Sequence, residues 1–174
     1  MNRIAIVGQQ CAGKTTAANI IAGHFDEVEF VKFADPIYQV LGVLRQDKHR
    51  AFMQDFGEMA KKYFGESIFV DLFHARMWCK NGNSAIICDD IRRLYEFHEA
   101  KAQGFKMIYI GANKFIRRLR AEAQGLDFIE NHISETEVPR MAPMADVMII
   151  NDHEGEVGLR SLRAKIDRAF LCLS

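Results

Sequence analysis

A glycine-rich segment near the start of the chain constrains the fold more than any other feature. Residues 8–15 read Gly-Gln-Gln-Cys-Ala-Gly-Lys-Thr and match the pattern G-x-x-x-x-G-K-[ST] at every fixed position. The apolar run from Arg3 to Val7 predicts a strand before it, and the pattern from Lys14 to Phe25 predicts a helix after it. Because this motif binds phosphate when a strand precedes it and a helix follows, the segment predicts a site for a nucleoside triphosphate.

The residue types of this phosphate loop, residues 8–15, explain how it would hold a nucleotide. Glycines permit tight turns and bring backbone N–H groups close to phosphate oxygens, and the start of the following helix adds partial positive charge. We expect Lys14 to bridge the β- and γ-phosphates of ATP and the Thr15 hydroxyl to ligate Mg²⁺. The expected nucleotide-binding residues are Gly8, Gln9, Gln10, Cys11, Ala12, Gly13, Lys14, Thr15, Thr16 and Arg117. ATPases, GTP switches and kinases share such a loop, so it does not identify a reaction alone.

Strand and helix patterns alternate along the rest of the chain. The further predicted strands are 28–33, 84–88, 105–110 and 147–150, and the further predicted helices are 92–103, 113–124 and 158–172, with Leu159, Leu162, Ile166 and Ala169 on one face of the last helix. Residues 36–80 are predicted to be helical in pieces, with turns at Gly57 and Gly65. Near-continuous apolar strands separated by helices indicate a parallel sheet covered on both faces, so we expect a single α/β domain over residues 1–174.

Composition excludes several classes of protein. The chain has 174 residues, which fits one domain with a sizeable core, and its 23 Lys and Arg balance its 23 Asp and Glu. Without a net basic field we expect no nucleic-acid partner and no membrane partner, and no apolar run approaches the length of a membrane span. The four cysteines have no C-x-x-C spacing and the N-terminus lacks a signal-peptide pattern, so we expect a cytoplasmic location.

Polar residues follow the third predicted strand, at the edge where ligands of parallel sheets bind. Asp89 and Asp90 end the apolar run, and an acid here commonly helps to hold Mg²⁺, although a turn or a helix cap is the alternative. Which of the two serves the metal stays open, and we take Asp90 as the candidate for metal and substrate binding. Arg92 could grip an acceptor phosphate with two parallel hydrogen bonds, or could be exposed at a helix start.

Basic residues crowd the helix predicted after the fourth strand. Arg117, Arg118 and Arg120 lie close together, with Lys114 one turn earlier. A polyphosphate would relieve their mutual repulsion, although basic clusters often form only a solvated face. Residues three apart share a helical face and adjacent residues point about 100° apart, so we expect Arg117 and Arg120 to form the functional pair, with Arg118 secondary.

Several further segments occur in an order that resembles a known family. They are Phe33-Ala34-Asp35-Pro36, then Arg50, Gln54 and Gly57 at an Arg-x-x-x-Gln-x-x-Gly spacing, Asp90-Ile91-Arg92 with Glu96, the arginines of the basic helix, His132-Ile133-Ser134-Glu135, and residues 146–151. With the phosphate loop, they resemble the deoxynucleoside monophosphate kinases of tailed bacteriophages, within the broader nucleoside monophosphate kinase fold. The resemblance covers nearly the whole chain, and Lys61-Lys62 and Arg93 depart from the family's pattern.

The resemblance implies a three-layer α/β/α sandwich with a five-stranded parallel sheet, a monophosphate-binding insert near residues 34–80 and a lid near residues 112–131. It implies an enzyme that uses ATP and Mg²⁺ to phosphorylate a deoxynucleoside monophosphate, with small molecules as partners, and it is compatible with a homodimer in the cytoplasm of a phage host. The catalytic residues would be Lys14, Arg92, Arg117 and Arg120, and the substrate-binding residues would be Asp35, Arg50, Gln54, Asp90 and Arg92.

Other interpretations of the sequence stay open at this point. Asp35 could cap the helix that Pro36 begins, could bind substrate, or could do both. The acceptor could be another small phosphorylated or hydroxylated metabolite, such as dephospho-coenzyme A or a phosphomevalonate-like compound. A regulatory NTPase is the remaining candidate, but the chain contains no Asn-Lys-x-Asp-like motif that would read guanine.

Overall fold

The structure, a computed structural model, describes residues 3–47, 50–78, 84–129 and 131–173. The strands in these residues are β1 (Arg3–Val7), β2 (Val28–Phe30), β3 (Ala85–Ile91), β4 (Lys106–Gly111) and β5 (Val147–Ile150). The α-helices are α1 (Lys14–Ala22), α2 (Asp35–Val43), α3 (Arg50–Phe64), α4 (Ile68–Trp78), α5 (Leu94–Ala102), α6 (Lys114–Ala123), α7 (Ile133–Thr136) and α8 (Gly155–Leu173), and a 3-10 helix spans Val138–Met144. The chain divides into two compact units, a sheet unit of Met1–Phe30 with Asn83–Ser174 and a helical unit of Val31–Gly82.

The strands of the sheet unit form one five-stranded parallel sheet in the order β2-β3-β1-β4-β5. β1 is central, because Ile4 pairs with Ile87 of β3 on one side and with Lys106 of β4 on the other. Since all the strands run in the same direction, the residues that follow them meet at one edge of the sheet. The phosphate loop leaves the middle of that edge, where ligands of parallel sheets bind.

Apolar side chains cover both faces of this sheet. The cluster on one face joins the strands to α1 and α8, and its members include Ile4, Ile6, Ala17, Ile20, Ile21, Ile87, Ile108, Ile110, Ile149, Leu162 and Ile166. Adjacent strand residues point to opposite faces, so Ala5 and Val7 face the other layer, where they are also buried. α5 buries Phe97 and packs on the 3-10 helix. The predicted α/β/α sandwich with a five-stranded parallel sheet is confirmed.

Two local predictions were wrong. Gly57 does not mark a turn but lies buried inside α3, where a Cβ atom would be 3.7 Å from Ile37 Cδ1, so its small size allows close packing of helices. Gly65, by contrast, has a φ angle of 101° and turns the chain between α3 and α4, as predicted. Leu159 is 47% exposed, so the predicted apolar face of α8 contributes to the core cluster only through Leu162, Ile166 and Ala169.

The helical unit has a small core of its own. Ile37, Ala60 and Phe69, one each from α2, α3 and α4, form a buried cluster. The rings of Phe33 and Phe73 stack in the same unit, with their centroids 4.1 Å apart. The segment predicted to be helical in pieces is therefore a set of helices packed on one another. None of the helices in the described ranges combines the length and the apolar character that crossing a bilayer requires.

Replacing Ile6 by Ala should lower the free energy of unfolding by about 2–5 kcal/mol, because it leaves a cavity in the middle of the sheet. Ile6 is fully buried in β1, the central strand. Met148→Ala on the edge strand β5 is the control, since Met148 is 60% exposed, and it should change this free energy by less than about 0.5 kcal/mol. Denaturant unfolding measures both values, and equal losses would contradict a core centred on β1.

Candidate functional site

The phosphate loop turns sharply between β1 and α1. Cys11 and Gly13 have positive φ angles of 58° and 102°, and the Ala12 N–H donates to the Gln9 carbonyl at 3.2 Å. Lys14 begins α1 and is buried, and its Nζ donates to the same Gln9 carbonyl at 2.9 Å. The ammonium group is thus held against the loop that it is expected to serve. A glycine N-cap offers no side-chain acceptor to the first turn of α1, so an anion fits this helix start.

Residues of β4 and of the segment after β5 lie close to the two glycines of the motif. A Cβ atom on Gly8 would collide with the backbone oxygen of Ile110, and one on Gly13 would lie 2.5 Å from Asn151 Nδ2. Gly13 is also in the left-handed region of φ, so a side chain there would be strained as well as crowded. The loop is therefore lined by backbone, and the Thr15 side chain is exposed on the first turn of α1. These residues fit the phosphates of ATP with Mg²⁺.

Two side chains hold the carbonyl side of the loop backbone. Arg120 Nη1 donates to the carbonyls of Cys11 and Ala12 at 3.2 Å each, and Asn151 Nδ2 donates to the Ala12 carbonyl at 2.9 Å. In a trans peptide the carbonyl and the next N–H point in opposite directions, so the Gly13 N–H faces away from these side chains. Arg120 and Asn151 therefore orient an amide of the kind that cradles phosphate in such loops.

The guanidinium of Arg120 is fully engaged. Besides the loop carbonyls, its Nη2 donates to the carbonyls of Asn151 and His153 at 3.0 and 2.9 Å, and its Nε pairs with Glu154 Oε1 at 2.7 Å. These contacts match in number the five N–H groups that a guanidinium carries. The expectation that Arg120 contacts a phosphate stays a prediction, and such a contact requires the side chain to release one of its present partners.

The other two arginines of α6 lie in different surroundings. Arg117 is buried, its Nε donates to the Ala112 carbonyl at 3.2 Å, and its guanidinium lies 5.3 Å from the centroid of the Phe128 ring. The side chain of Arg118 is 66% exposed and pairs with Glu122 one turn later. The structure thus separates Arg118 from the inward-facing Arg117 and Arg120, which is the division that the helical spacing predicts.

Arg92 joins the hydrogen-bond network of the phosphate loop through a shared carboxylate. Its Nη1 donates to Glu135 Oε1 at 2.7 Å, and Glu135 Oε2 accepts the Gln10 N–H at 2.7 Å. The backbone N–H of Arg92 donates to Glu96 Oε2 at 2.8 Å, which anchors the start of α5. Arg92 is partly exposed, but the Glu135 carboxylate connects its guanidinium to the phosphate loop.

The loop is also tied to the segment that follows α6. Gln10 is buried, and its side chain donates to the Asp127 carbonyl at 2.6 Å and accepts the Ile129 N–H at 3.2 Å. Gln9 Nε2 donates to the backbone oxygen of Glu135 at 3.2 Å. The region expected to form a lid, near residues 112–131, is therefore bound to the loop both by α6 and by the segment after it.

Asp89 and Asp90 do not follow β3, as the sequence predicted, but lie inside it. Pairing with β1 shifts at this point, since Ala5 pairs with Cys88 but Val7 pairs with Ile91. The extra residue on β3 interrupts the regular pairing, as in a β-bulge or a similar irregularity, a feature that redirects side chains and is common beside functional sites. The two carboxylates interrupted the apolar pattern without ending the strand. They do not cap α5 either, because the N-cap of that helix is Arg93.

Two acidic groups near this edge have raised pKa values. Burial raises the pKa of the Cys88 thiol well above its usual range, and the Asp90 carboxylate, whose Oδ1 accepts a hydrogen bond from the thiol at 3.3 Å, raises it further. Burial also raises the pKa of the Tyr109 hydroxyl, an effect that Arg117 opposes and Glu135 strengthens. Both groups stay neutral near pH 7, so neither adds negative charge beside a loop suited to anions.

The surroundings of Asp89 and Asp90 bear on how Mg²⁺ could be held. In the part of the chain that the structure describes, no three His, Cys, Asp or Glu side chains come together in a way that could hold a metal ion. This is compatible with Mg²⁺ held jointly by nucleotide phosphates, Thr15 and one carboxylate, because Mg²⁺ in nucleotide sites takes few protein ligands and keeps several waters. The assignment of Asp90 to the metal, and the choice between it and Asp89, stay predictions.

Three of the expected substrate-binding residues, Asp35, Arg50 and Gln54, belong to the helical unit. Asp35 Oδ2 accepts the Lys32 N–H at 2.7 Å and pairs with Arg76 Nη1 at 2.6 Å, so its carboxylate fixes the turn before α2 and makes no side-chain cap of the helix. Gln54 lies partly buried in α3. The side chain of Arg50, at the start of α3, lies outside the described part of the structure. Substrate binding by these three residues stays a prediction.

Sequence reasoning gave no role to Glu135, Asn151 or Arg76. Glu135 belongs to the segment 132–135 that carries part of the family resemblance, and Asn151 follows β5 at the binding edge, so both had a positional signal. Arg76 pairs with Asp35 across two helices of one unit, and no local pattern in α4 indicates that contact. All three are polar residues whose partners are far away in the sequence.

Comparison with known proteins identifies the fold. Shikimate kinase from Bacteroides thetaiotaomicron superposes with a TM-score of 0.60 at 14% identity, covering 98% of this chain and 98% of that chain. Shikimate kinase from Acinetobacter baumannii, in complex with shikimate, gives 0.56 at 14% identity over 100% and 95% of the two chains. A gluconokinase from Sinorhizobium meliloti gives 0.52 at 11% identity over 99% and 95%. No family model and no curated protein matches the chain.

At these identities the similarity shows the fold alone. The chain shares the fold of these proteins, with the phosphate loop between the central strand and the first helix of an α/β/α sandwich. The resemblance to the bacteriophage deoxynucleoside monophosphate kinases stays a prediction.

Replacing Arg120 by Ala should weaken ATP binding by at least about tenfold and lower turnover with it, because the carbonyl side of the loop loses a charged hydrogen-bond donor. Arg118→Ala is the matched control on the same helix, since an exposed pair one turn apart contributes about 0.3–0.5 kcal/mol. Calorimetric ATP affinity and kcat measure the two effects. Lost turnover with unchanged ATP affinity would instead favour direct contact of Arg120 with phosphate in the transition state.

Proposed function

We propose that the chain is a kinase that transfers the γ-phosphate of ATP to the 5′-phosphate of a deoxynucleoside monophosphate, giving ADP and the deoxynucleoside diphosphate. The observation that carries this proposal is the position of Arg92. A nucleotide-binding loop alone would suit any NTPase, whereas a partly exposed arginine joined to that loop through Glu135 suits a second anion beside the nucleotide.

On the nucleotide side, the loop amides, the start of α1 and Lys14 supply positive charge where phosphate charge builds up. Thr15, with Asp90 as the candidate carboxylate, would hold Mg²⁺, which neutralises charge on the transferred group. Arg117, buried on the inner side of α6, is the remaining candidate for contact with ATP. Phosphoryl transfer depends mainly on such positioning and charge neutralisation, so the chain needs no covalent intermediate.

On the acceptor side, Glu135 takes one N–H of the Arg92 guanidinium. A guanidinium carries five N–H groups, and bidentate binding of a phosphate needs only two of the remaining four. A monophosphate with a second pKa near 6 is already anionic at neutral pH, so it can attack without a general base. The deoxynucleoside part of the substrate rests on the family resemblance, from Phe33-Ala34-Asp35-Pro36 to His132-Ile133-Ser134-Glu135.

A small hydroxylated metabolite is the second candidate acceptor. It is supported by the fold similarity to proteins described as shikimate kinase and gluconokinase. A hydroxyl acceptor has to lose a proton during transfer, and Asp89 and Asp90 at the pairing irregularity of β3 would be the candidate bases. The expected cytoplasmic location and the expected compatibility with a homodimer stay predictions under either function.

An acceptor panel tests the choice between these substrates. Purified protein with ATP and Mg²⁺ should form ADP rapidly with at least one deoxynucleoside monophosphate, and not with shikimate or gluconate. Lys14→Ala should lower that turnover by orders of magnitude with the fold intact, because a phosphate-bridging charge is lost. Arg160→Ala, at an exposed position of α8, is the control and should be as active as the wild type. ADP formation with shikimate or gluconate alone would reject the monophosphate proposal.

Replacing Arg92 by Ala should lower kcat/KM for the monophosphate by about tenfold to a hundredfold, the loss expected for a charged hydrogen-bonded contact. ATP affinity should change much less, because Arg92 touches the loop only through Glu135 in the described contacts. Arg93→Ala is the neighbouring control, since Arg93 pairs with Glu137 instead. Steady-state kinetics and ATP titration of both variants decide the question, and unchanged acceptor kinetics in the Arg92 variant would remove it from the site.

A further inference from the structure

Glu135 makes two contacts that the proposed reaction does not by itself require. It lies in α7 with 1% of its surface exposed. Its Oε1 accepts from Arg92 Nη1 and its Oε2 accepts from the Gln10 N–H, each at 2.7 Å. A buried carboxylate is costly unless charged or hydrogen-bonded groups surround it, and here a charged partner and a backbone partner belong to different parts of the site. One rigid planar group therefore fixes the distance between them.

Gln10, the residue of the phosphate loop that Glu135 binds, is held by further hydrogen bonds. Gln10 binds the Asp127 carbonyl and the Ile129 N–H through its side chain, while its own N–H is held by Glu135. The preceding carbonyl, that of Gln9, accepts from both Ala12 N–H and Lys14 Nζ. A shift of residue 10 would consequently move the anchor of the phosphate-bridging lysine, and a shift of Glu135 would be transmitted to both sides.

We propose that Glu135 is a positioning residue that fixes the Arg92 guanidinium relative to the phosphate loop. This inference rests on the proposed function, in which Arg92 holds the acceptor phosphate and the loop holds ATP. Transfer needs the reacting atoms about 3–3.5 Å apart, and an error of about 1 Å can cost about a hundredfold in rate. Glu135 therefore acts on the transfer step more than on the binding of either substrate.

A second glutamate provides a matched control. Glu137 Oε2 accepts the Leu94 N–H at 2.8 Å and pairs with Arg93 Nε at 3.4 Å, so it also joins a backbone amide to an arginine. Both of its partners lie at the start of α5, and neither belongs to the phosphate loop. A general structural role for hydrogen-bonded glutamates in this region would affect Glu135→Gln and Glu137→Gln alike.

The test uses Glu135→Gln, Glu137→Gln, Arg92→Ala and the double variant Glu135→Gln/Arg92→Ala, with ATP and the best monophosphate of the acceptor panel. A glutamine keeps the size of the side chain but places an NH₂ group where one of the two carboxylate oxygens stood, so in this geometry it can accept from only one of the two partners. We expect kcat to fall tenfold to a hundredfold in Glu135→Gln, with ATP affinity and acceptor KM changed less than threefold. Glu137→Gln should stay within threefold in all three quantities.

The double variant separates action through Arg92 from independent damage. If Glu135 acts by positioning Arg92, its replacement should cost less than a further threefold in the Arg92→Ala background. Multiplicative losses, or equal losses in Glu135→Gln and Glu137→Gln, would overturn the proposal. Should Glu135→Gln fail to fold, Glu135→Asp replaces it, because the shorter carboxylate cannot span both partners. Wild-type kcat in that variant would also overturn the proposal.

A measurement without turnover keeps this inference distinct from the proposed function. If the wild type phosphorylates no monophosphate, the proposed function fails, and hydrogen exchange at the Gln10 amide then decides the role of Glu135. Exchange should become at least tenfold faster in Glu135→Gln and also faster in Arg92→Ala, which removes the second anchor of the carboxylate. Exchange as slow as in the wild type in either variant would show that Glu135 does not couple Arg92 to the loop.

Discussion

The orientation of the peptide groups in the phosphate loop is the constraint on which the site depends. Gly8 and Gly13 leave no room for side chains, so much of the binding capacity of the loop resides in the direction of its N–H groups. Carbonyls on the far side of the backbone accept from Arg120 and Asn151, and the first loop amide after Gly8 and Gln9 is held by Glu135. Side chains outside the motif thus orient the peptide groups of the phosphate loop.

The side chains that support the phosphate loop are brought to it by the topology of the sheet. Asn151 comes directly after β5, Arg120 projects from α6 after β4, and Arg92 follows β3. Parallel strands bring all three ends to the edge where β1 delivers the loop. The strand order therefore assembles a polar network from residues that are scattered along the chain. Its charged members are paired with carbonyls or carboxylates, as burial requires.

Much of the fold could be predicted from local patterns. The bounds of β1 and β5 were predicted as observed, and β4 and α6 to within one residue at each end, because their apolar runs have clear turns or caps beside them. The prediction failed for β3, where a pairing irregularity places two carboxylates inside a strand, and at Gly57, where glycine serves helix packing. The turn between β1 and α1 was predicted from the motif of residues 8–15, and nucleotide binding by these residues stays a prediction. The links of the phosphate loop to Arg120, Glu135 and Asn151 join residues more than a hundred positions apart, and no local pattern encodes them.

The central position of β1 has a consequence for how the molecule is made. β1 is the first strand in the chain, yet both of its neighbours come much later, since Ile4 pairs with Ile87 and with Lys106. Pairing across such separations requires the closure of long loops before any contact is gained, which makes folding slow. During synthesis the phosphate loop emerges before β3 and β4, the strands that flank β1. The part of the chain most dependent on exact geometry is therefore among the last to reach it.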